Sequence, residues 1–126
     1  KRFMRPRDPR QYLYDIDQAC QLVRRFTADR TFSDYTTYPM LRSTVERQFE
    51  IMGEALNQAF HLDPTLAGRI SHGQQIIVFR NQLVHGYAFV ADDVVWGVVE
   101  GYLPTLEREV TDLLKEKDRS SAADAE

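Results

Sequence analysis

An arginine and a histidine stand five positions apart in a largely apolar run, with a tyrosine two residues further on. Arg80, His85 and Tyr87 form the pattern Arg-x4-His-x-Tyr. A histidine titrates near neutral pH and can move a proton on or off a ribose hydroxyl. An arginine can stabilise the negative charge that builds on a phosphate. The pair is therefore sufficient in kind for metal-independent RNA cleavage, in which a 2′-hydroxyl attacks the neighbouring phosphate.

Helical geometry places Arg80 on the apolar face of its own helix. At about 100° per residue, Ile76 and Ile77 lie about 40° and 60° to either side of it. An unpaired buried charge costs several kcal/mol, so we expect the guanidinium to point into a wet cleft, a subunit interface or a carboxylate. Asn81 and His85 lie about 100° and 140° away from Arg80 and form a short polar stripe.

The residues alone leave two interpretations of Arg80 and His85 open. One is a structural buried network, and the other is a functional site. Two side chains about 140° apart on one helix do not converge easily on one atom. A functional site pooled from two chains is therefore the simpler construction, and it would supply two histidines, one able to act as base and the other as acid.

Composition indicates one domain with a real core, since the chain has 126 residues and 43% hydrophobic content. Its apolar runs are too short to cross a bilayer and no signal pattern opens it, so we expect a cytoplasmic protein without a membrane partner. The net charge of −3 argues against coating long nucleic acid through bulk electrostatics. The eight basic residues among positions 1–30 are compatible with a small phosphate-binding site, although a solvated helix face is the simpler interpretation.

Apolar periodicity predicts an all-α, up-and-down bundle of four or five helices. Residues 1–8 form a basic lead-in, residues 9–117 the bundle, and residues 118–126 a small, charged tail that we expect to be disordered. The predicted elements are a helix from Asp8-Pro9 to about Thr27, a polar and aromatic connector at Thr31–Tyr38, a long helix from Pro39, a break at Asp63-Pro64, the motif helix from Ser71 to His85, and a last helix from Asp92 or Asp93 that Pro104 kinks or breaks.

The remaining candidate residues have simpler interpretations. Glu46, Glu50 and Glu54 form a column beside Gly53, where another backbone could approach closely, and one of them could pair with Arg80 or another arginine. A capping box at Ser71 and Gln74 is predicted to begin the motif helix. Cys20 is predicted to be a buried hydrophobe. His61 and His72 suit capping or solvent contact, and no metal site or cofactor is predicted.

The motif and its helical context resemble the HepT-like toxins of the HEPN superfamily. Arg80, His85 and Tyr87 match that family's motif, and the likeness extends along Tyr12–Phe26, Val45–Ala55 and Asp93–Leu114. The chain departs from the family at His72-Gly73, where a proline-tryptophan pair is usual before the motif helix.

The resemblance implies an endoribonuclease toxin of a type II/VII-like toxin–antitoxin pair. It implies a two-fold HEPN-like dimer in which Arg80 and His85 of both subunits are catalytic and Asn81 supports them. The RNA substrate would be tRNA or mRNA. The implied partner is an MntA-like minimal nucleotidyltransferase antitoxin that transfers AMP to Tyr87, and higher assembly with that antitoxin stays open. A competing interpretation is a non-catalytic helical module that binds a nucleotidyltransferase or RNA.

Overall fold

The structure, a computed structural model, describes residues 8–85 and 90–125, and of residues 121 and 123–125 it describes the backbone alone. Within these ranges the chain forms helices and no strand, which confirms the all-α prediction. The described residues form six α-helices, where the sequence predicted four or five. They are α1 (Pro9–Thr27), α2 (Phe32–Thr37), α3 (Pro39–Leu62), α4 (Gly73–His85), α5 (Asp92–Gly101) and α6 (Leu103–Ala125), with a 3₁₀ helix at Pro64–Gly68.

The first helix begins as the sequence predicted. The backbone N–H of Arg10 donates to Asp8 Oδ1 at 2.7 Å, and Pro9 occupies the first turn, where its missing N–H costs nothing. The buried face of α1 includes Leu13, Ile16 and Cys20 at helical spacing. This face packs against α3, which also packs against α4, so α3 lies at the centre of the bundle.

The connector after α1 contains a helix that periodicity did not reveal. Thr31 and Asp34 cap it reciprocally: Asp34 N–H donates to Thr31 Oγ1 at 3.1 Å, and Thr31 N–H donates to Asp34 Oδ2 at 2.9 Å. Tyr35 in this helix is fully buried and lies 5.4 Å from Trp96, centroid to centroid. The Thr-x-x-Asp spacing was the available signal, and a helix of six residues is too short for an apolar stripe to show.

The predicted capping box at the start of the motif helix is wrong. The backbone N–H and the hydroxyl of Ser71 both donate to the Glu109 carboxylate, at 3.0 and 2.6 Å. Ser71 thereby ties the start of α4 to α6, 38 positions away along the chain. The hydrogen-bond partner of Ser71 is therefore Glu109 of α6 and not Gln74 of its own helix.

The last predicted helix is divided at Tyr102, between α5 and α6, as Pro104 predicted. Helix α6 then continues to Ala125, whereas the sequence predicted a disordered tail from residue 118. One tertiary contact accompanies this continuation, since Asp118 Oδ1 lies 3.6 Å from a guanidinium nitrogen of Arg10 in the first turn of α1.

Cys20 is fully buried, as predicted, with its sulfur 3.8 Å from that of Met52. Burial raises the pKa of its thiol, because the charged thiolate is poorly solvated there. Among the described residues, no helix combines the length and the apolar character that a membrane crossing needs.

Candidate active site

The side chain of Arg80 lies across the backbone of α3. A Cβ atom added to Gly53 would lie 2.2 Å from Arg80 Cβ and 2.6 Å from Arg80 Cγ, far inside van der Waals contact. Only glycine allows this approach. The sequence predicted that Gly53 would admit another backbone, and what it admits is the stem of an arginine.

The guanidinium of Arg80 is held from two sides. One terminal nitrogen lies 3.4 Å from Glu54 Oε1, and the other donates to Asn81 Oδ1 at 2.9 Å. The side chain is 27% exposed. Its Nε is buried and has no hydrogen-bond partner among the described residues. The expectation that Arg80 meets a carboxylate is confirmed, and the carboxylate belongs to the glutamate column of α3.

A cleft of about 450 Å³ opens beside this guanidinium, between α1, α3 and α4. Its rim is strongly charged, with two arginines and three carboxylates close together. The lining residues are Tyr12, Asp15, Arg47, Glu50, Ile51, Glu54, Ala55, Arg80 and Val84. Arg80 can therefore meet an anion in this cleft without first being uncovered.

His85 is exposed in the last turn of α4 and does not line the cleft that holds Arg80. Asn81 is exposed on the same polar stripe as His85, and it accepts the hydrogen bond from Arg80 already described. In this cleft, therefore, Arg80 is not accompanied by His85 of the same chain. Tyr87, the predicted modification site, lies outside the described residues.

The rest of the glutamate column is divided among different surroundings. Glu50 lies 3.3 Å from Arg47 and Glu54 pairs with Arg80, so two members pair with arginines where the sequence suggested one. Glu46 differs, because partial burial raises the pKa of its carboxyl, while the nearby Arg42 opposes that rise. Within the described residues, no group of three or more histidine, cysteine or acidic side chains is arranged to hold a metal ion.

Most residues that line the cleft, Tyr12 and Arg47 among them, were not predicted as site residues. Tyr12 is on α1 and Arg47 is on α3, and each lies far along the chain from the motif helix. The column Glu46–Glu54 passes directly beside Arg47, so it was a signal for a charged surface there. Tyr12 had no comparable signal, because an aromatic residue on an amphipathic helix is usually part of the core.

The start of α4 explains how the chain accommodates its unusual His72-Gly73 pair. The ring of His72 stacks on that of Tyr102, with centroids 4.3 Å apart and planes 13° apart. A Cβ on Gly73 would lie 2.5 Å from Phe60 Cζ. Ring packing around a glycine therefore fixes the first turn of the motif helix.

His61 lies at the end of α3, with its Nδ1 2.8 Å from the carbonyl oxygen of Asn57.

Several basic residues of the N-terminal third already have partners within the protein. Nε and one terminal nitrogen of Arg24 donate to the Glu107 carboxylate at 3.1 to 3.3 Å, and these hydrogen bonds raise the pKa of the guanidinium. Arg10 pairs with Asp8 and Asp118, and Arg30 lies over the ring of Tyr38. Lys1, Arg2, Arg5 and Arg7 lie outside the described residues, and for the others these contacts favour the interpretation of a solvated helix face over a separate phosphate site.

An all-α bundle whose fourth helix carries Arg-x4-His defines a HEPN-type fold. The sequence model of the family described as "Ribonuclease HepT-like" matches residues 71–113, which include the motif. Together with a relative named as a ribonuclease HepT, which is 30% identical and matched along almost its whole length, this match shows that the chain belongs to the HepT-like ribonuclease family.

Curated relatives carry names consistent with that membership. "Probable ribonuclease HepT" of Thermococcus cleftensis is 30% identical over 113 residues, which cover 86% of this chain and 98% of the relative. "Putative RNase MJ1380" of Methanocaldococcus jannaschii is 30% identical over 111 residues, which cover 85% of this chain and 97% of the relative.

A third relative is longer than the chain. "Gamma-glutamylcyclotransferase and putative RNase MJ0434" of M. jannaschii is 28% identical over 116 residues, which cover 90% of this chain but only 51% of the relative. The chain thus spans about half of this relative and nearly all of the two named above. Comparison with solved structures finds no significant match.

Proposed function

We propose that this HepT-like ribonuclease is the toxin of a two-component toxin–antitoxin pair and cleaves RNA internally, without a metal. The observation that carries the proposal is Arg80, a partly buried cation beside an open cleft, on the helix that ends with exposed His85. Membership in the ribonuclease family supports the activity. The RNA substrate is tRNA or mRNA, and cleft shape would decide between them.

The proposed reaction is an attack of a ribose 2′-hydroxyl on its own 3′-phosphate. The 2′-oxygen forms a bond to phosphorus while the bond from phosphorus to the 5′-oxygen breaks, leaving a 2′,3′-cyclic phosphate and a 5′-hydroxyl. One His85 accepts the 2′-hydroxyl proton, and a second, protonated His85 donates to the leaving 5′-oxygen. Arg80 stabilises the charge that develops on the phosphate oxygens. Asn81 supports Arg80 through the hydrogen bond already described.

Two histidines require two chains, and α4 offers a surface for the second one. Val78 is 54% exposed and lies about 160° from Arg80 around the helix, within about 20° of His85. Val94 of α5 is 49% exposed and lines the same shallow apolar groove as Val78. We infer a two-fold dimer that covers this groove, which would bring His85 of each subunit to the shared face.

The proposed antitoxin is an MntA-like nucleotidyltransferase. It would transfer AMP from ATP to the Tyr87 hydroxyl and release pyrophosphate. Since Tyr87 follows His85 by two residues, the added nucleotide would place bulk and negative charge beside the catalytic histidine and repel RNA. The test is to incubate the protein with such an enzyme and ATP, and to look by mass spectrometry for AMP at Tyr87 that a Tyr87→Phe variant does not acquire.

The ribonuclease proposal is tested with the purified protein and total cellular RNA in the presence of a chelator. We expect new RNA ends that carry 2′,3′-cyclic phosphate, and we expect their loss in His85→Ala. His61→Ala is the matched control, because His61 is also exposed in the last turn of a helix but lies on α3. If a folded protein, unmodified at Tyr87, does not cleave, the ribonuclease proposal fails and the non-catalytic binding module replaces it.

A further inference from the structure

The geometry points to Glu54 as a positioning residue for Arg80: its carboxylate holds the guanidinium at the cleft in the orientation that phosphate stabilisation needs. This inference rests on the proposed ribonuclease function. Glu54 Oε1 lies 3.4 Å from one terminal nitrogen of Arg80, across the interface between α3 and α4. Glu54 does not touch RNA in this proposal, and it acts through Arg80.

An arginine side chain needs such a partner because it is long and has many rotamers. The close approach to Gly53 restricts the first part of the stem, at Cβ and Cγ. It does not restrict the guanidinium, several bonds further out. Asn81 holds one terminal nitrogen and Glu54 the other, so the planar group is held at two points. Small displacements of a stabilising group cost rate steeply, which makes a second point of attachment useful for catalysis.

The two contacts leave donors available for a phosphate. A guanidinium has five N–H donors, and each terminal nitrogen carries two of them. The hydrogen bond to Asn81 engages one donor of one terminal nitrogen, and the ion pair with Glu54 engages at most one donor of the other, so each terminal nitrogen keeps a donor for a phosphate. Glu54 can therefore hold Arg80 while the same guanidinium binds substrate.

Glu50 provides the matched comparison. It lies one turn before Glu54 on α3 and lines the same cleft, but it pairs with Arg47 instead of Arg80. Replacing either glutamate with glutamine removes one negative charge from the cleft and should strengthen RNA binding to a similar extent. Only the replacement of Glu54 releases Arg80. A difference in kcat between the two variants therefore measures positioning apart from charge.

The experiment measures kcat and KM for RNA cleavage in Glu54→Gln, Glu54→Asp and Glu50→Gln. For Glu54→Gln we expect kcat to fall about tenfold while KM falls about twofold. For Glu50→Gln we expect the same fall in KM with less than a twofold change in kcat. Glu54→Asp keeps the charge on a shorter side chain and should recover part of kcat. If Glu54 had a purely structural role, Glu54→Gln would lower the folded fraction, but its kcat per folded molecule would equal that of Glu50→Gln.

A second readout does not depend on cleavage. The buried Nε–H of Arg80 should give a slowly exchanging ¹⁵N NMR signal, which is assigned by its loss in Arg80→Lys. We expect this signal to persist in Glu50→Gln and to broaden or exchange faster in Glu54→Gln. Equal kcat in the two glutamine variants, or an Arg80 signal unaffected by Glu54→Gln, would overturn the positioning role. A wild-type protein that does not cleave RNA would overturn the proposed function, while the NMR comparison would still decide whether Glu54 immobilises Arg80.

Discussion

Gly53 of α3 lies against the base of the Arg80 side chain, which cannot move away from α3 unless the backbone of α4 moves with it. The shortest approach, 2.2 Å from a Cβ placed on Gly53, is to Arg80 Cβ, which is attached directly to the backbone of α4. A side chain at position 53 could therefore be accommodated only by separating α3 from α4. The close packing of these two helices is what brings the guanidinium to Glu54 and to the cleft.

We expect Gly53→Ala to lower the free energy of unfolding by about 2–3 kcal/mol, the cost typical of overpacking, because α4 must shift away from α3. Urea unfolding measures this change. Truncating Arg80 to alanine should not restore stability, since the clashing Cβ remains. Gly53→Ala combined with Arg80→Gly should recover part of the loss, less the cost of about 1 kcal/mol for glycine in a helix. A stable Gly53→Ala protein would contradict the close approach.

Val78→Asp is expected to convert the proposed dimer to a monomer and to reduce RNA cleavage at least about tenfold, because it places a charge in an apolar contact. Light scattering after gel filtration gives the mass. Met40→Asp is the control, since Met40 is 70% exposed at the start of α3 and not in the groove between α4 and α5. A Val78→Asp protein that stays dimeric would place the interface elsewhere, and a monomeric wild type would exclude the dimer itself.

Gly73→Ala is expected to cost about 1–3 kcal/mol, because its Cβ would meet the ring of Phe60 at 2.5 Å. The contacted atom is the far end of a side chain, so shortening that side chain should remove the clash. We therefore expect the double variant with Phe60→Leu to be more stable than the sum of the two single changes by about 1 kcal/mol. Additive effects in a double-mutant cycle of thermal unfolding would contradict the packing at this helix start.

Two carboxyl groups should change stability with pH in opposite directions. Partial burial raises the pKa of Glu46 in the folded state, so this group favours folding most below the pKa of the unfolded chain and loses that contribution as the pH rises through its folded value. Hydrogen bonds from Thr65 lower the pKa of Asp63 in the folded state. The Asp63 carboxylate therefore stabilises the fold above the pKa that it has in the unfolded chain, and this stabilisation is lost as the pH falls through the folded pKa.

Glutamine and asparagine variants separate these contributions. Relative to wild type, Glu46→Gln should have a higher Tm at pH 7, with a gain that shrinks toward pH 4. Asp63→Asn should have a lower Tm at pH 7, with a loss that shrinks below about pH 4, near the unfolded pKa of aspartate. Melting curves of the three proteins across this range test both signs, and the same direction of change in both variants would refute the assignment.

The elements that depend on neighbours along the chain were predictable. Asp8 and Pro9 begin α1 through local hydrogen bonding and a fixed backbone angle, and Pro104 divides α5 from α6 because it cannot donate within a helix. The position of Arg80 on an apolar helix face followed from a periodicity of 3.6 residues, and with it the need for a wet cleft, a subunit interface or a carboxylate around its charge. Membership in the HepT-like family followed from residue types at fixed spacing.

The contacts between distant residues were decided only by the tertiary structure. Ser71 has capping-box spacing to Gln74, yet it donates to Glu109 of α6. The local pattern could not reveal this competitor, because a side chain forms whichever hydrogen bond the packed helices present to it. The glutamate column likewise contained three candidates for Arg80, and only the packing of α4 on α3 selected Glu54.

The amino-acid sequence by itself determined the long amphipathic helices, the motif and the chemistry that an arginine and a histidine can perform. Tertiary structure decided that Gly53 accepts the arginine stem, that Glu54 holds its charge, and that His85 lies outside the cleft of its own chain. The physical reason is the distance along the chain over which each kind of interaction acts. Capping and helical periodicity act over a few residues, whereas the surroundings of a side chain depend on which helix surfaces pack together.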